Sequence, residues 1–484
     1  MTERLAVHHV LSAAGQKVGG PADILIENGG ITSVTALSRP PKGKRLLAMP
    51  CLINAHDHAR PVRSSSLGAG GKPLEIWLHF LSLLPPLDPY TATAVSLARS
   101  ARGGCGVLMI HHTRVQGLTD LPTEAAEMAR AARDVGVRCG FAVALRDCNP
   151  LVYGPSEPIL AALPPDARDA LSARLLRPHL PVAEQVELVS AVAAAAETSD
   201  FVVQYGPAGP QWCSTELLQV VAQASERSGR RVHMHCLETR YQREWADRTY
   251  PGGLMCYLDR IGLLSPRLTL AHCTYARADE LDLLAERGVT IVVNTSSNLG
   301  IKSGIAPVAE MVRRGCRVAL GLDGLALDED DDALREMRLA HLLHQGTGFE
   351  VAMSRQETLA AAIENGRMAV LGRDDRQTVA DKAPADLLVL DWDRIDGDRL
   401  RDDINPIDLL FARAKASDVD ELWVSGRKVV IRGTVQGVDE LALTDLLCSR
   451  IRSAICDDQL YAAALGPLEA VIAKSSEHWP TCCE

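Results

Sequence analysis

Short, unbroken apolar runs recur along the middle of the chain, each followed by a stretch whose apolar residues fall three and four apart. Eight such runs stand at 51–56, 107–112, 138–145, 201–207, 231–236, 268–273, 290–296 and 317–323. Continuous rather than alternating hydrophobicity marks strands covered on both faces. The intervening segments, among them 89–103, 122–136, 182–198 and 214–229, have helical periodicity and often end at glycine. This alternation predicts βα units around a parallel sheet, and eight parallel strands close a barrel. The expected fold is therefore α/β, a (β/α)8 TIM barrel over residues 50–379.

Two β-rich flanks lie outside it, at 6–47, where residues 24–34 read as a hairpin, and at 385–435. Neither is long enough to fold alone, so residues 1–49 and 380–437 are expected to pair into one small β-sandwich. Residues 438–484 read as C-terminal helices and a tail, frayed from 475 onward. Two connections, 60–86 and 147–181, exceed ordinary βα loops; Trp77, Phe80, Leu151 and Tyr153 give them apolar anchors, so they are expected to act as lids.

Composition narrows the partners. A net charge of −10 lacks the basic footprint of a nucleic-acid binder, and no apolar run is long enough to span a membrane. Thirteen scattered cysteines, with no signal-like segment at residues 1–16, point to reduced thiols in the cytoplasm. Cys105, Cys236, Cys273 and Cys316 read as small buried hydrophobes, and Cys482 and Cys483 as a tail pair. The acidic run 328–332 reads as a solvated helix start, and His341 and His344 as exposed on the helix that follows. The expected partner is a small-molecule substrate.

The polar residues at the carboxyl ends of the strands carry the chemistry. His56 and His58 leave the first strand, His235 and Glu238 the fifth, His272 the sixth and Asp323 the eighth. Barrel active sites gather at that end, so residues far apart in sequence converge there. Three imidazoles and a carboxylate, here His56, His58, His235 and Asp323, suit one divalent ion, Zn(II) first, with Fe(II) or Mn(II) as alternatives. A bound water would be activated near neutral pH. Asp323 can accept its proton, Glu238 can pass one to a leaving nitrogen, and His272 can polarise the substituent at the reacting carbon. Bland alternatives exist: Glu238 could cap a helix, and His272 could be a satisfied core histidine.

His56-Asp-His58, His235-Cys-Leu-Glu238, Ala271-His272-Cys273, residues 294–308 and Gly321-Leu-Asp323-Gly resemble the amidohydrolase superfamily. The closer likeness is to the branch of cytosine and guanine deaminases, adenosylhomocysteine deaminase and triazine chlorohydrolases. The resemblance implies one metal, because the fourth strand has no lysine at its end to bridge a second. It also implies hydrolysis of a C–N bond in a small cyclic or aryl nitrogen compound, foremost deamination of a heterocycle, by a homo-oligomeric enzyme. The alternatives are hydrolysis of urea, carbamate or thiocarbamate linkages, and a scaffold without catalysis.

Departures bear on the substrate. Where many relatives place a histidine after the fourth strand, this chain reads Gly206-Pro-Ala208-Gly-Pro210. Arg60 resembles the arginine of dihydroorotase-like His-x-His-x-Arg motifs, which holds a carboxylate; a lid salt bridge is the competing reading. His112, of the pair His111-His112, is expected to face substrate, although strand alternation turns one of the two away. Trp77, Trp212, Asn298 and Tyr205 are expected pocket walls, and His233 a neighbour of the metal ligands.

Overall fold

A computed structural model describes residues 2–324, 329–373, 377–455 and 458–476. Eight parallel strands follow one another around the sheet: β1 (Leu52–Asn54), β2 (Cys105–His112), β3 (Arg138–Leu145), β4 (Phe201–Pro207), β5 (Val232–Cys236), β6 (Leu268–His272), β7 (Thr290–Val293) and β8 (Arg317–Leu320). Ala55 N donates to Leu320 O, and Asp323 N to His56 O, both at 2.9 Å, joining the last strand to the first. The (β/α)8 expectation holds. The first, seventh and eighth strands stop two or three residues before their expected ends at 56, 296 and 323, because the chain leaves the ladder there to aim polar side chains. Asp323 has φ 55°, and residues Thr295–Gly300 are already helical.

Local signals explain the outer helices. In Leu121–Val135, Asp120 caps the first turn by accepting from Thr123 N, a proline occupies the first turn, and Gly136 takes the left-handed exit. Inside the barrel, below the polar end, Ile53, Val107, Met109, Ala142 and Val292 pack against helix Gly366–Leu371. The carbonyls of Ala369 and Val370 each accept from Gln204 Nε2 at 2.9 Å.

Both chain ends build two further sheets. One holds Thr2–Val7, Ala22–Glu27 and Gly30–Ala36; the other runs from Thr434–Val435 through Arg427–Ile431, Val419–Val424, Leu387–Asp391 and Leu46–Pro50 to His9–Val10. Val7, Ile24, Ile26, Leu387, Val389 and Trp423 fill a shared core. The hairpin at 24–34 turns through Asn28 and Gly29, both at positive φ (51° and 86°), the geometry that matches strand twist.

The two long connections contain helices Leu74–Phe80, Glu157–Ala161 and Pro165–Leu175. Helix Gln459–Ser476 lies over them, with Tyr461, Leu465 and Leu468 packed against Ile76, Leu151 and Leu171. Tyr461 Oη donates to His79 O at 2.9 Å. Among the described residues no helix is long and apolar enough to cross a membrane.

Some expectations are corrected. His341 and His344 are buried, His341 sitting 3.1 Å from Thr358 Oγ1, because their helix is covered by its neighbours. Asp331 is buried too, accepting from Ser100 Oγ at 2.6 Å beside Arg99, and Asp332 caps helix Ala333–His344. Asp328, residues 477–484 and with them Cys482 and Cys483 lie outside the described residues. Cys105, Cys236, Cys273 and Cys316 are buried.

Candidate active site

His56, His58, His235, His272, Glu238 and Asp323 come together, all buried, at the carboxyl ends of the strands. Asp57 shapes the loop that brings the first two in. One oxygen accepts from His58 N and Ala59 N at 2.7 and 2.8 Å. The other accepts from Asn54 Nδ2 and Gly324 N at 2.7 and 3.1 Å, stitching the β1 exit to the β8 exit.

Each of three imidazoles is held at Nδ1, which leaves Nε2 as the bare nitrogen. His235 Nδ1 donates to Ala208 O at 2.6 Å, His58 Nδ1 donates to His111 O at 2.7 Å, and His56 Nδ1 lies 2.7 Å from His233 Nε2. Such partners fix tautomer and ring direction. The freed nitrogens converge: His58 and His235 Nε2 are 3.2 Å apart, and Asp323 Oδ1 is 3.1 Å from His58 Nε2 and 3.5 Å from His56 Nε2. Two bare lone pairs facing each other are repulsive unless a cation lies between them. His56 Nε2 and Asp323 Oδ1 are buried without a hydrogen-bond partner. The donor set therefore fits one divalent cation.

Electrostatics agree. Burial drives the His58 imidazole down to about 3, with Arg60 adding to the effect, and holds His56 and His235 below their ordinary value. These rings are neutral at physiological pH, as metal ligands must be. Burial pushes Asp323 upward, but the adjacent His56 and His58 imidazoles outweigh it and hold the carboxyl well below its usual range. Ser297 Oγ donates to its other oxygen at 2.5 Å. Glu238 is raised to about 7, chiefly by burial, with His272 opposing the shift.

His272 Nδ1 lies 2.9 Å from Asn298 Oδ1, so Nε2 faces Glu238 Oε2 at 3.7 Å. Asn298 thus orients His272 and is not the pocket wall expected of it. His112 is corrected as a substrate contact: it pairs with Glu124 at 2.6 Å against Phe141, and His111 is the inward member of the pair. Tyr205 packs in the main hydrophobic core instead of the pocket.

The cavity in front of these groups is lined by Trp77, Trp212, Ala208, Ile301, Arg60 and Arg146. Arg60 lies over Trp77 at 4.8 Å and donates from Nη1 to Asp323 O at 3.0 Å. Trp77 belongs to the Leu74–Phe80 helix, which Glu75 locks down by accepting from Tyr153 Oη and Thr239 Oγ1 at 2.8 and 2.7 Å. The sequence reading missed Arg146 and gave Asp57 no role. Arg146 directly follows an apolar strand at the end where barrel sites gather, which is the signal that could have found it.

The 5'-deoxyadenosine deaminase of Methanothermobacter thermautotrophicus is 28% identical over 445 residues, covering 90% of this chain and 95% of the relative. A zinc-bound adenosine deaminase from Xanthomonas campestris superposes with a TM-score of 0.72 at 22% identity, covering 93% of this chain and 98% of that one. An atrazine chlorohydrolase of Arthrobacter aurescens, complexed with zinc and atraton, gives 0.74 at 22% identity over 93% of this chain and 98% of that one. The amidohydrolase family model matches residues 47–429. With that match spanning most of the chain, the protein belongs to the amidohydrolase family and is a hydrolase of carbon–nitrogen bonds other than peptide bonds.

Proposed function

We propose that the protein binds one Zn(II) through His56, His58, His235 and Asp323 and deaminates a small heterocycle hydrolytically. The observation that carries this reading is the convergence of the bare His56 and His58 Nε2 atoms on Asp323 Oδ1, with His235 Nε2 3.2 Å from His58 Nε2 and Glu238 and His272 beside them. Bound there, the ion would act as a Lewis acid and bring the pKa of a coordinated water toward ~7.

The chain's own groups divide the proton transfers. Asp323, with one oxygen held by Ser297, accepts the proton of the attacking water. Glu238, held near neutrality by burial, can carry a proton either way. It donates its proton to a ring nitrogen as the water oxygen bonds to carbon, takes one back from the hydroxyl that becomes the carbonyl, and passes it to the departing nitrogen, which leaves as ammonia; the proton held on Asp323 then restores Glu238 to its acid form. His272, fixed by Asn298, orients the water and the substituent on the reacting carbon. Trp77 and Trp212 wall the cavity, offer aromatic faces to a planar ring and keep bulk water out.

The 5'-deoxyadenosine deaminase relative supports an aminated heterocycle as substrate. Cytoplasmic location and homo-oligomeric assembly complete the reading, supported by the free cysteines and by the family resemblance. The test loads the protein with zinc and measures ammonia release from aminated purine nucleosides, pyrimidines and triazines. Ammonia from at least one class is expected, with about one ion per chain. Bound zinc without ammonia from any of them would overturn deamination; amine release from ureas or carbamates would then identify the alternative chemistry.

A further inference from the structure

Arg60 is committed to Asp323 O and to the face of Trp77, but a second guanidinium lines the same cavity without such a commitment. Arg146 stands just past β3, and the backbone around it is tightly fixed. Its own nitrogen donates to Gln185 Oε1 at 3.1 Å, and Asp147 N and Cys148 N donate to Trp212 O at 3.1 and 3.3 Å. The neighbouring carboxylate, Asp147, accepts from Ser214 N and Oγ at 2.7 and 2.6 Å.

The Arg146 side chain is held far less. Among the described residues it enters no ion pair. Nη2 lies 3.5 Å from Asn149 O, at the limit of a hydrogen bond, and Nε is buried with no partner. The guanidinium lies 5.9 Å from the Trp212 ring centroid. A desolvated cation without a counter-ion is unfavourable, and burial accordingly lowers its pKa. Among the described residues no carboxylate pairs with Arg146, which leaves the ligand to bring one.

We propose that Arg146 is a specificity residue that receives a carboxylate carried by the substrate, at the Trp212 edge of the pocket. This rests on the deaminase reading and narrows its substrate class to planar nitrogen heterocycles bearing one carboxylate. One uncommitted guanidinium matches one carboxylate in a two-pronged hydrogen bond. A phosphoryl group, with a charge of about −2, would leave negative charge uncompensated in a largely apolar cavity.

Calorimetry with benzoate and benzamide, similar in shape and different in charge, tests the proposal. Metal-depleted protein is used, so that no ion competes for the carboxylate. Benzoate is expected to bind at least about tenfold more tightly than benzamide. R146Q loses that difference while benzamide binding is unchanged, and R146K, which keeps charge but not the planar fork, retains part of it. Equal binding of the two probes to the unmodified protein overturns the proposal. So does an undiminished benzoate preference in folded R146Q or, should that variant not fold, in R146K. Because no ammonia is read, a negative result leaves the deaminase reading standing, and a failed ammonia screen leaves this binding result standing.

Discussion

His233 Nε2 lies 2.7 Å from His56 Nδ1, so the ring one turn of the strand pattern before His235 sets the state of a residue 177 positions away. For His56 to present a bare Nε2, its Nδ1 must carry the proton, and His233 Nε2 must accept it. His233 then keeps its own proton on Nδ1, a buried atom with no protein partner, as is His111 Nδ1. His233→Ala removes the acceptor and is expected to weaken zinc binding about 10- to 100-fold, read by competition with a chelator. His233→Gln, whose amide oxygen can accept, recovers part of it. Equal melting-temperature losses in both variants with an unchanged zinc Kd would assign His233 a packing role only.

Glu238 and His235 stand three residues apart but answer differently to substitution. His235→Ala deletes a nitrogen from the converging set and is expected to lose the metal. Glu238→Gln keeps size and hydrogen bonding, removes the transferable proton, and is expected to retain about one ion per chain while kcat falls roughly 10²- to 10⁴-fold. Metal analysis and steady-state rates on the same preparation separate the two. Near-normal turnover by Glu238→Gln refutes the proton-transfer role.

The connection that carries helix Leu74–Phe80 has its own pH dependence. His79 is fully enclosed with Nε2 donating to Leu151 O at 2.9 Å, and burial lowers its pKa to about 4. Between the ordinary value of 6.5 and about 4, the unfolded chain binds a proton that the folded chain does not. Stability from this group is therefore fully present above 6.5 and declines as pH falls through that window, by up to ~3 kcal/mol. His344, also lowered to about 4 by burial, adds a loss of the same sign. His79→Gln keeps a donor and removes the titration. Its urea midpoint is expected to change less between pH 7 and pH 5 than that of the unmodified protein; parallel changes would assign the acid lability elsewhere.

The barrel was legible because its strands are buried on both faces and its helices carry explicit start and stop residues, as at Asp120 and Gly136. Polar residues at the strand ends were legible for the same reason, since they interrupt apolar runs. What stayed hidden depends on parity and on backbone partners. His111 and His112 are adjacent, and only the register of β2 against β3 turns His111 inward and His112 toward Glu124. Ala208 holds His235 through its carbonyl, which any residue possesses, so the sequence carries no mark of it. His341 and His344 looked exposed because their helix was judged without the layer that covers it.

Gly321 shows how tightly the site depends on barrel closure. It follows β8 directly, where the chain passes the backbone of His56, and a Cβ built there would lie 2.8 Å from His56 N and 2.9 Å from His56 O and would strike Asn294 Oδ1. Backbone cannot yield as a flexible side chain can, so Gly321→Ala must separate β8 from β1 or displace His56. The first route loosens the Ala55–Leu320 and Asp323–His56 backbone bonds, each 2.9 Å long. The second moves a residue proposed to hold the metal. Overpacking of this kind typically costs about 1–3 kcal/mol. Gly321→Ala is therefore expected to lower the urea midpoint and to weaken zinc binding together, whereas an equally buried Gly-to-Ala change remote from the ligands would lower stability alone. A Gly321→Ala protein with unmodified stability and zinc affinity would show that the β1 and β8 exits tolerate more separation than their geometry implies.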